Sequence, residues 1–277
     1  MTERLARLGV LSSFFSPDFL ATYETCSVET PWGAAEVDLT QVDGEGVACI
    51  WRYGHDLALP SHRINFRANL WALRSLGVER LVSQNAIGSC NPDLVPGAVV
   101  ISHDFIDFTH GRPHSFFDDA QAWVRVDLTE PFCGEMRQAL IQAASPLFDH
   151  LAERGVFICV EGPRFETPAE IGMFRQWGAD IIGTPLVPEV VLAREAEICF
   201  ASIAPIINFG AGLAAAVQHT GPGSMVDFYY GSGFHDRVER AIRDAIRALP
   251  PQRRCGCGRA LERAFHGTPP PWFEARR

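Results

Sequence analysis

The 277-residue chain has no stretch of 18 uncharged apolar residues, and so no segment suited to cross a bilayer as a helix. It has no apolar leader either: the first residues, MTERLARLG, are charged where a signal peptide would be apolar, and a cytoplasmic protein is expected. Its 24 glycines never fall into a dinucleotide-binding or P-loop pattern, so nothing points to a cofactor. Basic residues are scattered and the formal net charge is -9, which argues against a nucleic-acid groove. Zinc-ligand spacing is missing as well. Of the 8 cysteines, Cys49, Cys159 and Cys199 lie in apolar segments and read as reduced core residues. Cys255 and Cys257 form CGCG, too close and too few for a zinc site, which would need two more ligands; they read as surface thiols.

What the chain has in quantity is apolar residue, 47% of the total, enough to bury one large core in a single domain. Its periodicities alternate between strand and helix. Arg7–Ser12 reads as a first strand, and Trp32–Leu39 with Gly46–Tyr53 as a hairpin turning at Asp43–Gly46. Ile64–Leu76 carries a helical stripe, Val78–Gln84 and Ala98–Ser102 read as strands, and Met136–Arg154 as a longer helix. Val156–Val160 and Asp180–Gly183 read as strands, each succeeded by a helix, near Thr167 and over Pro188–Ala196. Cys199–Ile207 is the last core strand, and Met225–Leu249 contains the closing helix. Alternation of this kind predicts an α/β domain over residues 1–249: a mixed, mostly parallel central sheet flanked by helices. The Pro-, Arg- and Gly-rich tail, 250–277, is expected to be an arm or disordered.

The stretch from Val160 to Arg194 carries most of the functional information. Gly162 and Pro163 end a buried strand, so the next residues project from a strand's carboxyl end, where open α/β sheets place ligands. Phe165 offers a flat apolar face there, and Glu166 a carboxylate that accepts hydrogen bonds. GPRFET-PAE, then WGAD, then VPEVVLARE resembles the purine nucleoside phosphorylase family, including its branch acting on methylthioadenosine and methylthioinosine. The resemblance runs from about Gly9 to about Asp236. NFRANLWAL (Asn65–Leu73), NAIGS (Asn85–Ser89) and FIDFTHGRPHSFF (Phe105–Phe117) extend it; the last is similar to a segment through which subunits of the family pack. A homotrimer acting on a small-molecule purine nucleoside, with no cofactor and with orthophosphate as possible co-substrate, is what the resemblance implies.

It also implies roles. Breaking a purine N-glycosidic bond leaves negative charge on the departing base, and an enzyme gains most by stabilising that charge late. Asn208 matches the family position facing N7 and the 6-substituent, where its amide can donate as electrons enter the ring. Glu166 would accept the N1 proton, which a 6-oxopurine has and a neutral 6-aminopurine lacks. Phe165 would cover base or sugar, and Thr184 stands where a methionine usually touches the ribose. Arg125 matches a position that reaches a neighbouring subunit's 5′ pocket, which suggests a 5′-modified, anionic substrate.

The departures cluster at the acceptor. After the first strand the family has a glycine-rich, phosphate-cradling loop; this chain has Ser12, Ser13, Phe14 and Phe15. Arg52 keeps its place, but Tyr53 replaces a histidine, Asn85 a threonine, and Pro185 a phosphate-contacting hydroxyl residue. Ser12, Ser13, Arg52 and the Ala86 amide remain to hold an anion. The residues thus admit three readings: phosphorolysis through a remodelled acceptor site; hydrolysis, with His55 or Asp56 as general base; or a nucleoside-binding protein without turnover.

Overall fold

The apolar run LGVLS forms strand β1 (Leu8–Ser12), buried at every residue, as expected of a strand covered on both faces of a parallel sheet. The computed structural model describes residues 5–118, 122–214, 219, 221–268 and 270–274. After β1 come β2 (Tyr23–Val28), β3 (Ala35–Val42), β4 (Glu45–Trp51), helix α1 (Phe66–Ser75), β5 (Arg80–Gln84), β6 (Ile87–Ser89) and β7 (Val99–Ile101). The middle of the chain supplies β8 (Asp104–Phe108), β9 (Trp123–Val124), α2 (Gly134–Ala144), β10 (Leu151–Ala152), β11 (Val156–Val160), α3 (Pro168–Gln176) and β12 (Ile181–Gly183). It closes with α4 (Leu186–Glu195), β13 (Cys199–Phe209), α5 (Met225–Gly231), α6 (Phe234–Ala248), β14 (Phe265–His266) and α7 (Pro271–Glu274).

One 12-stranded sheet organises the molecule, in the order β2-β3-β4-β1-β5-β13-β6-β12-β11-β8, with β7 and β10 branching from β13. The pairings of β1 with β4 and β5, of β13 with β5 and β6, and of β11 with β8 and β12 are parallel. The β2–β3–β4 meander and the β6–β12 and β7–β13 pairs are antiparallel, so the α/β reading with a mixed, mostly parallel sheet holds. The 11-residue β13 is the spine of the sheet, pairing with β5 and β7 early and with β6 late. Asp43 and Gly44, both at positive φ (55° and 86°), make the tight β3–β4 turn. Among the described residues no helix is long and apolar enough to cross a membrane.

Two expectations need correction, the length of one helix and the state of the tail. The helix read over Met136–Arg154 stops at Ala144, because Pro146 has no N–H to continue it and its ring crowds the preceding turn. The closing helix expected within Met225–Leu249, most clearly over Asp236–Leu249, is α6; the short α5 precedes it, set apart at Gly233, whose φ is 71°. The tail is no free arm where it is described: Leu261, Ala264 and Phe273 are buried in the main core cluster with Trp71 and Phe117, and β14 pairs with β9. The sequence pattern missed β2, an edge strand whose residues are mostly exposed, with only Cys26 and Val28 packed against the core.

Two buried carboxyl groups make stability depend on pH. Glu195 accepts the Phe116 N–H (2.8 Å) and the Ser115 hydroxyl (3.2 Å); Glu239 on α6 accepts the Ser16 N–H (3.0 Å) and the Ser16 hydroxyl. Burial pushes each up to about 7, against an ordinary value of 4.5. The folded state therefore favours the protonated form. The associated stability, on the order of 3 kcal/mol per group, is complete below the unfolded value and lost as pH rises through about 7. Thermal melts from pH ~5 to ~8 should show a falling Tm, and Glu239→Gln should flatten part of the fall. A Tm that rises over that window would contradict the assignment.

Candidate active site

The carboxyl ends of β5, β11, β12 and β13 open on one cavity of about 990 Å³. Glu166 and Asn208 both line it, although they stand 42 positions apart in the chain and at the ends of two different strands, β11 and β13. Glu166 gets there through a rigid turn. Gly162, at φ 70°, ends β11 where an added Cβ would lie 2.4 Å from the Ser61 hydroxyl, so no other residue fits. The start of α3 then fixes the other end of the turn. Thr167 Oγ1 accepts the Glu170 N–H (3.2 Å), and Glu170 accepts the Thr167 N–H (2.7 Å), a reciprocal cap with Pro168 in the first turn. Arg164 grips the same Glu170 carboxylate in a fork at 2.8 and 2.6 Å, holding its pKa down at about 2. Between these anchors Phe165 stands at the rim, 53% exposed, beside the His219 ring at 5.9 Å. Glu166 turns inward, and desolvation raises its pKa.

Asn208 is aimed by a bulge. Ile206 pairs with Ile87 and Asn208 with Gly88, so Ile207 is an extra residue in β13. The Asn208 amide donates to its neighbour's carbonyl, Phe209 O, at 2.8 Å, which pins the side chain and leaves its second N–H for a ligand. Gly88 makes room: a Cβ there would sit 3.3 Å from Asn208 Nδ2.

Arg112, inconspicuous in sequence within the Phe105–Phe117 segment, is buried beneath these strand ends. It donates to the carbonyls of Val160 (3.2 Å), Glu161 (2.8 Å), Thr184 (2.5 Å) and Val187 (2.5 Å). One guanidinium thus ties the turn bearing Glu166 to the turn bearing Thr184, which lines the cavity.

Ser13, Tyr53, Asn85, Ala86 and Tyr230 also line the cavity. Asn85 spends its amide inward, on Ser83 Oγ (3.0 Å) and Ser202 Oγ (3.0 Å). The remaining sequence candidates do not line the cavity. Ser12 is buried and its hydroxyl donates to Phe14 O (2.7 Å). Arg52 is buried in an ion pair with Glu189 (2.5 and 2.9 Å) and also donates to Ser83 Oγ (2.6 Å) and Gln84 O (2.8 Å). His55 Nε2 lies 2.8 Å from Asp38, on the β3–β4 hairpin, and Asp56 accepts the Ala58 N–H (3.2 Å). Arg125 adjoins β9 with its guanidinium 4.8 Å over the Trp123 ring. All 24 basic residues of the chain are arginine. Among the described residues, Arg164 alone of them lines the cavity, and it is committed to Glu170. Sequence reasoning also missed Tyr229, Tyr230 and His219 in the wall; a β-branched or charged pattern does not mark them, and only the folding of α5 over the sheet end brings the tyrosines in.

Comparison with known proteins finds relatives over most of the chain. The family model described as "Phosphorylase superfamily" matches residues 15–246. The S-methyl-5′-thioadenosine phosphorylase of Thermofilum pendens is 40% identical over 264 residues, 94% of this chain and 98% of that one. The 6-oxopurine nucleoside phosphorylase of Pyrococcus furiosus is 41% identical over 245 residues, covering 86% and 91%. A crystal structure of a methylthioadenosine phosphorylase from an antarctic soil metagenomic library superposes with a TM-score of 0.89 at 29% identity, over 99% of this chain and 98% of that one.

Proposed function

The chain belongs to the phosphorylase superfamily as an enzyme of the purine nucleoside phosphorylase family, and from that premise we propose that it cleaves the N-glycosidic bond of a 6-oxopurine nucleoside. The observation that carries the base preference is the pairing of Glu166 with Asn208 on one cavity. An ionised Glu166 accepts N1–H of hypoxanthine or guanine; a neutral adenine presents a lone pair there, and two acceptors would face each other. Such a buried mismatch costs about 1–3 kcal/mol, roughly tenfold or more in selectivity. Asn208 donates to N7 or O6 as charge builds on the leaving base. The two relatives divide by name between 6-amino and 6-oxo substrates, and the carboxylate–carboxamide pair favours the second.

For the acceptor, phosphate is the family's co-substrate. One observation favours water instead: among the described residues the single arginine lining the cavity, Arg164, is bound to Glu170, while Arg52 is held by Glu189. Incubating the enzyme with inosine and with guanosine, with and without phosphate, and quantifying base and sugar 1-phosphate separately, tests both points. Base release that does not depend on phosphate is the expected outcome for hydrolysis; release only with phosphate, with stoichiometric sugar 1-phosphate, assigns phosphorolysis. Faster cleavage of adenosine than of inosine would remove the 6-oxopurine reading, and binding without release from any purine nucleoside would leave a module without turnover.

A homotrimer is part of the same reading. Leu57 (54% exposed), Leu59 (38%) and Phe165 (53%) give the cavity an apolar rim suited to a second subunit, and Arg125 would then serve a neighbour's 5′ end. Light scattering on the purified enzyme should return three chains per particle; a monomer that is fully active would remove both the trimer and the role of Arg125.

A further inference from the structure

We propose that Cys133, Cys199, Cys255 and Cys257 form a structural zinc site, a four-thiolate cage that fastens the C-terminal stretch to the base of the central sheet. CGCG supplies two ligands, and the fold supplies the two that the linear spacing lacked. Cys133 immediately precedes α2, Cys199 opens β13, and the tail brings the other pair beside them. The four Sγ atoms all lie within 4.8 Å of one another, and those of Cys199 and Cys255 are 3.3 Å apart. Four sulfurs each about 2.3 Å from a zinc ion stand about 3.8 Å apart at the corners of a tetrahedron. The cage is therefore already assembled to within a few tenths of an ångström to about one ångström of a filled site. Contrary to the expectation of surface thiols, Cys257 is buried and Cys255 half-buried.

The surroundings suit a metal thiolate. Zinc entering displaces four thiol protons to solvent and leaves a site of net charge −2. Two guanidinium groups stand against it: Arg194 Nη1 is 3.8 Å from Cys257 Sγ, and Arg253 interacts with the sulfurs of Cys199 and Cys255. Arg253 is seated by Glu197 O (2.7 Å) and by the bare Cα of Gly258, where a Cβ would lie 2.8 Å from its Nη2. With four protein ligands the site is closed and has no open position for a reacting water, so its role is structural. It lies at the opposite end of β13 from Asn208, about 30 Å away along the strand, and does not depend on which nucleoside the enzyme uses.

Elemental analysis of enzyme purified without chelator should give about one zinc per chain. Replacing the metal with cobalt(II) should give the visible absorption of a tetrahedral cobalt thiolate. The C255S/C257S variant should lose the metal and melt roughly 5–10 °C lower, whereas Cys26→Ser, outside the cluster, should keep both. If the double variant does not fold, the cobalt spectrum of the unmodified chain decides. Two results would overturn the site. One is a reduced, folded chain that takes up less than about a tenth of an equivalent of zinc or cobalt; the other is disulfide-linked peptides joining these cysteines in the freshly purified enzyme.

Discussion

On the proposed role of Asn208, the expected result for Asn208→Ala is a kcat/KM for inosine lower by about 10²–10³-fold, with most of the loss in kcat, because a carboxamide so placed strengthens its hydrogen bond only as the base takes up the electrons of the breaking bond. The fold should survive: among the described residues Asn208 Nδ2 donates only to Phe209 O at the strand end, a carbonyl that water can satisfy once the side chain is gone. Steady-state kinetics with a circular-dichroism melt on the same sample separates the two effects. Asn208→Asp should lose inosine activity to a similar extent while the ratio of adenosine to inosine cleavage rises, since the lost donor served the 6-oxo group. If Asn208→Ala instead raised KM alone, the side chain would be a ground-state contact and the assignment of late charge stabilisation would fail.

The second large effect is on stability. Arg52→Met leaves the Glu189 carboxylate, 1% exposed, facing a thioether in place of a guanidinium fork. Removing one partner of such a pair costs about 3–5 kcal/mol, a Tm lower by on the order of 10 °C for a chain of this size. Joint replacement, Arg52→Met with Glu189→Leu, should recover most of that loss, because both charges then leave the apolar surroundings together. The pair of melts also tests where Arg52 acts. A single variant that melts normally but shows a raised KM for phosphate would return this arginine to the acceptor site and dismiss the ion pair as its main role.

How far the sequence alone could reach depended on the range of the interactions involved. The start of α3 was legible because Thr167, Pro168 and Glu170 satisfy one another within four residues, and the β3–β4 turn because Asp43–Gly44 carries its own backbone preference. Residues at strand ends were legible too: Ser13, Asn85, Ala86, Phe165, Glu166, Thr184 and Asn208 all line the cavity. What the sequence hid is set by contacts distant along the chain. Arg112 reads as one more loop arginine until its carbonyl partners arrive from Val160 to Val187. Arg52 reads as an anion ligand until Glu189, on α4, takes its fork. CGCG reads as two stray thiols until Cys133 and Cys199 stand beside them. Composition misled in the tail, where Pro and Gly suggested a free arm but Leu261 and Phe273 found places in the core.

The extra residue in β13 makes the direction of the Asn208 side chain depend on how two backbones count against each other. Pairing without it would set Asn208 opposite Ser89, where Phe209 now stands, and the two-residue alternation of a strand would turn the carboxamide through to the other side of the sheet. A change that let this strand pair in regular register would therefore empty the cavity of its carboxamide while leaving the sequence of the strand end untouched.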